Sequence, residues 1–538
     1  MAYHHVSRIR RGSAPERRAA SDIFSIGTAA GTGGVRPSNG DVFDAVVIGS
    51  GPGGSACART LALDKRKLRV CVLERGERIP FTALCGEYSG CAIVCRGLNL
   101  KKVRANNESL YTRCFPLAGE SVAHALGGGS AINFSVFVTP CKADLKKAFP
   151  SSMRTEELTN EFLDTIVHQM TNEQTFTNTE LQTRMAKALR PQQMQREDHD
   201  ERTKTLWNDH SEHLTWFRTM RNDLAERANA WELLVESLPP DAVTTLSRWN
   251  AYRIALRDGS WSVTSRDGRE VRAKMVFVAC GAIETPALLK RSFGDTLSAN
   301  IGEHLMNHEQ TSIAMPVSTS VSNPSSSSRT MHPMRFIDGG IYGTSSVEFI
   351  EASTNFAMST RLLNIMTPRG ALRYCLPTST AACCCWPLYN DMRMQVFRDT
   401  KNNGSVKLKN DEPYVLAPVA SDKMKQLALA HKDRTTRRLR VVEGLHPDAG
   451  LEMSTVGSWH YAGTARAPAT DAFPNDSGTD ASSHVLDSTG ERLLKGNHDG
   501  IFVSDASLPR CTSMGNTMGI SAYAGFVSAK QALLNLSK

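Results

Sequence analysis

The chain has 538 residues, a length that calls for one large domain or two interleaved ones around a substantial core. Its 41% apolar content is ordinary for a soluble protein, and no run of about 18 apolar residues occurs, which disfavours a transmembrane helix and leaves peripheral contact as the one membrane role open. The net charge of +9 is spread over interleaved acids and bases rather than gathered into one patch, which argues against nucleic-acid binding.

Residues 1–40 differ from the rest. Arg8, Arg10, Arg11, Arg17, Arg18 and Arg36 stand against only Glu16 and Asp22, with Ser, Ala and Gly between them. The segment reads as a disordered extension or a mitochondrial targeting peptide, so an intracellular location, mitochondrial or cytoplasmic, is expected without a choice between them. It lacks the apolar stretch of a secretory signal, and the final Leu536-Ser537-Lys538 is not the peroxisomal tripeptide. The thirteen cysteines show no paired CxxC spacing, and the run Cys383-Cys384-Cys385 does not suit ordinary bridges, so mostly free thiols are expected.

Order is expected to begin at Asp41. "FDAVVIGSGPGGSACARTLALDKRKLRVCVLERG" predicts a buried strand, a glycine turn, a small-residue helix and a second strand ending in an acid. Gly49-x-Gly51-x-x-Gly54 fits a dinucleotide fingerprint: the chain turns tightly, a pyrophosphate approaches bare backbone, and the helix packs close to the strand. The phosphates then meet the positive end of the helix. Glu74, twenty residues past Gly54, is placed to bond the ribose hydroxyls of an adenosine. The motif by itself does not choose between NAD and FAD.

Farther along, "HALGGGSAINFSVFVTP" (124–140) combines Gly127, Gly128 and Gly129 with the short polar Ser130 and Asn133, which lets backbone lie flush against a flat or anionic ligand. Residues 150 to 232 are polar with a helical pattern. "VRAKMVFVACGAIETPALLKRS" (271–292) predicts a buried strand, a small-residue turn and a helix with Pro286 in its first turn. From 313 to 454 lie a serine-rich loop, strand-like stretches such as "GSVKLKN", and a helix at "SDKMKQLALAHKD". "GSWHYAGTARAP" (457–468) sets His460 between Trp459 and Tyr461, and "DGIFVSDASLPRCTSMGNTMGISAYAGFVSAKQALL" (499–534) predicts a strand ending at Asp505, a loop with Asn516, and a helix.

Together and in this order these segments resemble the glucose-methanol-choline (GMC) family of FAD-dependent oxidoreductases. The likeness is carried by Gly49, Gly51, Gly54, Glu74, the GGGSAIN and "VACGAIETPALLKRS" segments, "NIGEHLMNH" (300–308), "HYAGT" (460–464) and "VSDASLP" (503–509). The resemblance implies an α/β fold: a Rossmann-like FAD-binding domain with a discontinuous substrate-binding domain of antiparallel sheet and helices. It divides the chain into FAD-binding parts at 41–149, 232–312 and 455–538, a helical insertion at 150–231, and the rest of the substrate domain at 313–454.

Carried over residue by residue, Ser50, Arg75, Gly128, Ser130, Asn133, Ala279, Gly281, Asp505, Ala506 and Thr517 join the glycines and Glu74 in holding FAD. His460 matches the active-site histidine and Asn516 the second catalytic position, which makes this the His-Asn branch. The implied reaction oxidises a primary or secondary alcohol to a carbonyl. His460 removes the hydroxyl proton, with an unperturbed imidazole pKa of about 6.5 near the operating pH. A hydride passes from carbon to flavin N5, and Asn516 donates to the developing alkoxide, a contact worth about 3 to 4 kcal/mol at an oxyanion site.

The electron acceptor is O2 or a quinone or another acceptor, and the substrate a small alcohol. His124 does not fall where relatives tether FAD covalently, so noncovalent FAD is expected. His304 and His308, four apart, lack the acid of a metal motif, and no metal is expected. Two departures from the family pattern stand near the site: Ala467-Pro468 in the loop behind His460, and Thr517 where proline commonly follows the catalytic asparagine. A hydroxynitrile-lyase-like enzyme with structural FAD, and a degenerate FAD-binding protein, are the rival readings.

Overall fold

The computed structural model describes residues 42–78, 100–102, 104–105, 121–131, 133, 137–171, 180–189, 193–195, 199–200, 205–206, 213–216, 220, 228–317, 334–337, 345–351, 390–399, 401, 403–449, 451–457, 460–471, 476–493, 500–512 and 516–537. The amino-terminal extension, the cysteine triplet at 383–385 and Trp459 lie outside them. Among the described residues Cys57, Cys71, Cys141, Cys280 and Cys511 are free thiols, and no helix is long and apolar enough to cross a membrane.

The first strand, β1 (Val42–Ile48), buries its last four residues, leaves through the glycine turn and opens the helix α1 (Pro52–Ala62), which returns the chain to β2 (Val70–Leu73), buried throughout. Uninterrupted apolar runs of this kind suit parallel strands covered on both faces. β1 pairs in parallel with β2, Ala45 opposite Val70, and on its other side with β3 (Glu270–Val278), Ile48 opposite Val278. The long β3 serves two neighbours. Its first half pairs antiparallel with Ser260–Ser265, while Val276–Val278 pair in parallel with β4 (Ile501–Val503). Val243–Leu246 beside β2 and Ala251–Arg257 beside Ser260–Ser265 complete a seven-stranded sheet.

Between β3 and the rest of the chain runs the helix α2 (Gly281–Phe293), and the last helix is α3 (Met518–Asn535). α3 lies across α1 at a glycine contact: a Cβ added to Gly525 would stand 1.9 Å from the Gly53 carbonyl oxygen. α1 is pressed equally closely to its own turn, where a Cβ on Gly54 would stand 2.0 Å from the Gly49 carbonyl. Small residues are thus a condition of the layer spacing, not only of ligand approach.

A second seven-stranded sheet has the order Leu451–Gly457, His308–Val317, Asn390–Asp399, Ser345–Glu351, Met334–Ile337, His213–Trp216, Gln193–Gln195, antiparallel except for its last pair. Ile313, Met315 and Val317 alternate onto one face, as strand geometry requires. With Val347, Met394 and Val396 they form a separate core with Leu181, Met185 and Leu189 of the helix Glu180–Leu189 and Ala428 and Leu439 of the helix Asp422–Leu439.

Three local readings change. Pro286 is the sixth residue of α2, inside the helix rather than in its first turn. The polar stretch after 150 is helical at Glu156–Phe162 and Glu180–Leu189, yet it also supplies Gln193–Gln195 and His213–Trp216 to the second sheet, strands too short for alternation to reveal. The hairpin Ser405–Lys409/Glu412–Leu416 does not join that sheet. It pairs with Arg104–Ala105 in a three-stranded sheet, and Lys290 of α2 donates to the Val406 carbonyl at 3.2 Å.

The α1–α3 contact generates the first test. Gly525→Val forces backbone apart at a fully buried crossing and is expected to lower stability by about 1–3 kcal/mol or more. Chemical denaturation of the purified protein measures this; an unchanged midpoint would mean that the helices do not touch there.

Candidate active site

β1, β2, β3 and β4 all end on one edge of the first sheet, and the residues that follow them line a single cleft. Gly49, Ser50 and Gly51 come from β1, Glu74 and Arg75 from β2, Ala279, Cys280 and Gly281 from β3, and Asp505 and Ala506 from β4. Ligands of open α/β sheets sit in such a crevice at the carboxyl ends of the strands.

Steric demand explains the glycines. Gly49 has φ +105° and a Cβ there would stand 2.2 Å from the Ala279 carbonyl oxygen, so β1 can turn against β3 only without a side chain. A Cβ on Gly51 would meet nothing nearer than Gly128 Cα at 4.0 Å, and on Gly129 or Gly281 nothing within that radius, so these backbones border open space. Gly51 caps α1 without a side-chain bond, and no acid occupies the first turn, which leaves the helix end suited to an anion. Bare backbone on both walls and a positive helix end together fit the pyrophosphate of a dinucleotide.

Glu74 is buried and shares its oxygens between two anchors. Oε2 accepts from the Ser50 backbone at 3.0 Å and the Ser50 hydroxyl at 2.7 Å, and Oε1 accepts from Gly76 N at 2.8 Å. The Ser50 hydroxyl in turn accepts from Gly127 N at 3.1 Å, so one network ties the glycine turn, β2 and the second glycine segment together. Arg75 gives its guanidinium to Glu284 at 2.8 Å and to the Ala123 carbonyl. Burial works against its charge, but the neighbouring acids, Glu284 foremost and then Glu74, together hold its pKa up. Asp505 accepts from Gly281 N (2.7 Å), the Thr285 hydroxyl (2.5 Å) and Ser507 N (2.7 Å), while burial pushes its carboxyl above the ordinary range.

Three expected cofactor residues are not on the cleft wall. Gly54 packs against the turn. The Ser130 hydroxyl donates to the Gly127 carbonyl at 2.6 Å and accepts from Ala230 N at 2.9 Å, which makes it a brace behind the wall. Asn133 directs its amide to Met518 Sδ at 3.9 Å. The other expected residues, with Gly128 and Thr517, line the cleft. His124 is exposed, with Nε2 3.1 Å from the Arg75 carbonyl oxygen.

The cleft reaches Tyr461 and Thr517, the chain neighbours of His460 and Asn516. Asn516 turns its side-chain oxygen to Met518 N at 3.0 Å, at the start of α3, which orients the amide NH2 the other way. His460 is partly buried, and its Nδ1 stands 2.9 Å from Nδ1 of His308 with the rings at 86°. Desolvation, and then the neighbouring His308, hold the His460 pKa well below the ordinary imidazole value.

His308 had no assigned role in the sequence, although it closes the quoted segment "NIGEHLMNH". That segment and "HYAGT" run side by side: Gly302 N donates to the Thr464 carbonyl, Met306 and Ala462 exchange backbone bonds, and Asn307 Oδ1 accepts from His460 N at 3.0 Å. His304 has φ +61° and His308 begins a strand, so the two never share a helix face, and no metal-holding cluster of three or more such side chains occurs among the described residues.

Thr464 links this loop to α2. Pro286 has no N–H to give the Ala282 carbonyl four residues back. The buried Thr464 hydroxyl donates to that carbonyl at 2.6 Å. Gly463, Ala465 and Ala467 donate to the carbonyls of Ala506, Ser507 and Leu508, so the loop carrying Ala467-Pro468 is laddered to the segment after β4.

Residues 118–310 match the GMC oxidoreductase family, and residues 47–109 match the NAD(P)-binding Rossmann-like domain. No curated protein matches significantly. Among solved structures, the pyridoxine 4-oxidase of Mesorbium loti superposes with a TM-score of 0.63 at 15% identity, over 91% of this chain and 99% of that one. A formate oxidase gives 0.61 at 14% identity, and a variant of the Aspergillus oryzae RIB40 formate oxidase 0.60 at 14%, each over 93% of this chain and 99% of the other. At these identities the likeness concerns the fold.

The hydroxyl-for-amide substitution generates a test. Thr464→Val leaves the buried Ala282 carbonyl short of a donor and is expected to cost about 1–3 kcal/mol. Adding Pro286→Ala, which restores an N–H, should return part of that loss; a denaturation double-mutant cycle with zero coupling would refute the link.

Proposed function

We propose that the chain is a GMC oxidoreductase, on the match of residues 118–310 to that family and the fold it shares with a pyridoxine 4-oxidase and a formate oxidase, and that it oxidises a small primary or secondary alcohol to a carbonyl, with His460 as the proton acceptor and noncovalent FAD in the cleft. The observation that carries this reading is the reach of one cleft from the glycine turn at Gly49–Gly51 to Tyr461 and Thr517, beside His460 and Asn516. The glycine turn, the α1 end and Asp505 would hold the dinucleotide, and Glu74 its ribose. FAD, when bound, supplies the hydride acceptor.

The protein's own part is to hold substrate and move a proton. With Nδ1 turned to His308, His460 meets a substrate hydroxyl through Nε2. Its lowered pKa keeps it neutral, as a base must be before the reaction. Asn516, its oxygen held by Met518 N, presents N–H to the substrate oxygen as that oxygen gains charge. Tyr461, buried and on the cleft wall, shields the proton transfer from water. His124 is bonded to a backbone carbonyl and is absent from the cleft wall, which favours a noncovalent cofactor. O2, a quinone or another acceptor would reoxidise the enzyme.

The test is anaerobic mixing of the FAD-loaded protein with a panel of alcohols while the flavin absorbance is followed. Bleaching is expected with at least one alcohol; none, with FAD retained, favours the lyase-like or degenerate reading. His460→Ala should slow bleaching by about 10²–10⁴-fold and leave the flavin-to-protein ratio unchanged. A variant that bleaches at the native rate would remove His460 from the reaction.

The lowered pKa has a definite sign in kinetics. A base that resists protonation stays active into more acid solution, so the acid limb of the kcat/KM profile should fall below the ordinary imidazole value of about 6.5. A limb above that value would mean that another group governs proton removal.

A further inference from the structure

The two imidazoles that meet at 2.9 Å pose a choice of which ring donates. Two facing lone pairs repel, as do two facing N–H groups, so a single hydrogen lies between the Nδ1 atoms. If His308 supplies it, the neutral His460 ring carries its own hydrogen on Nε2 and offers a donor on the side away from His308. If His460 supplies it, Nε2 keeps its lone pair and the ring offers an acceptor there. The direction of one hydrogen decides whether His460 is able to take a proton from a substrate.

Resting on the reading of His460 as the base, we propose that His308 is a positioning residue: it accepts the Nδ1 hydrogen of His460 and thereby fixes the basic lone pair on Nε2.

The pairing is built rather than incidental. His308 is 2% exposed and opens the strand His308–Val317, whose two flanking strands hold its backbone. A single side-chain oxygen, Asn307 Oδ1, accepts from the backbone N–H of both partners, His308 at 2.8 Å and His460 at 3.0 Å. The spacing of the two rings is therefore set by one carboxamide. Met306 and Ala462, one step farther along, exchange backbone bonds at 2.9 and 3.0 Å and lock the register of the two segments. Desolvation of the His460 ring favours its neutral form over an imidazolium, which is the state in which a defined tautomer exists. The contact spans 152 residues of sequence, so the second sheet, to which His308 belongs, reaches directly into the site.

The experiment is nitrogen-15 NMR of histidine-labelled, FAD-loaded protein, with the two resonance sets assigned by their loss in His460→Ala and His308→Phe. The expected spectrum shows His460 protonated at Nδ1 and bare at Nε2. In His308→Phe the preference is lost; in His308→Asn, whose side-chain oxygen still accepts, it survives. Stopped-flow reduction should follow the same order, with kcat lower by roughly 10²-fold in His308→Phe, KM little changed, and much of the rate recovered in His308→Asn. A hydrogen on Nε2 of His460 in the native protein overturns the proposal. So does equal loss in the Phe and Asn variants, which would mark His308 as packing alone. The spectrum reads the tautomer whether or not any alcohol is oxidised. Failure of the alcohol screen or native bleaching by His460→Ala therefore counts against the function, and a wrong tautomer against His308. Should His308→Phe fail to bind FAD, the native and His308→Asn spectra still decide.

Discussion

Five parallel strands stop at the same edge, and the residues expected to hold the dinucleotide's phosphates and ribose, Gly49, Gly51, Glu74, Gly281 and Asp505, are attached within three residues of such a stop. That constraint comes from the backbone. Parallel strands share a direction, their carboxyl ends are collected on one side, and the turns that leave them can approach each other only where side chains are absent. Gly49 against Ala279 and Gly53 against Ser504 are two places where this approach is tight, a Cβ there standing 2.2 and 2.3 Å from the facing carbonyl oxygen. Glu74 and Asp505 bond those turns to one another, so the groups that line the cleft wall also brace it.

The catalytic candidates depend on this wall at second hand. His460 and Asn516 stand one residue beyond it, and each is fixed by a different element: His460 by the side chains of Asn307 and His308 at the start of an inner strand of the second sheet, Asn516 by the Met518 N–H at the start of α3. The loop carrying His460 is held along its length by the segment after β4 and at one point by α2. Chemistry at the site thus draws on both sheets, whose cores are otherwise separate.

How much of this could be read from the residues alone follows the range of the forces involved. The glycine turn, β1, α1 and β2 were legible because steric demand writes itself locally, as glycines at fixed spacing between apolar runs. The strand at 270–278 and the helix after it were equally plain. Ser130 and Asn133 were read toward a ligand because short polar residues beside glycines suit one, while their bonds to Ala230 and Met518, far away in sequence, leave no local signal. The hairpin at 405–416 showed its alternation but not its partner, since period two is the same in any sheet. His308 stayed hidden because its four-residue spacing from His304 suggests a helix, whereas its real partner lies far away in sequence.

The sheet also has a chronology. β4 and α3 come from the final part of the chain, yet β4 completes the parallel strands beside β3 and α3 covers α1, among the first elements to leave the ribosome. Loop-closure entropy of that span must be met before the nucleotide crevice exists at all. During synthesis the glycine turn therefore precedes by more than 400 residues the strand that brings Asp505 and Ala506 to the same wall, so the complete crevice can form only when translation is nearly finished.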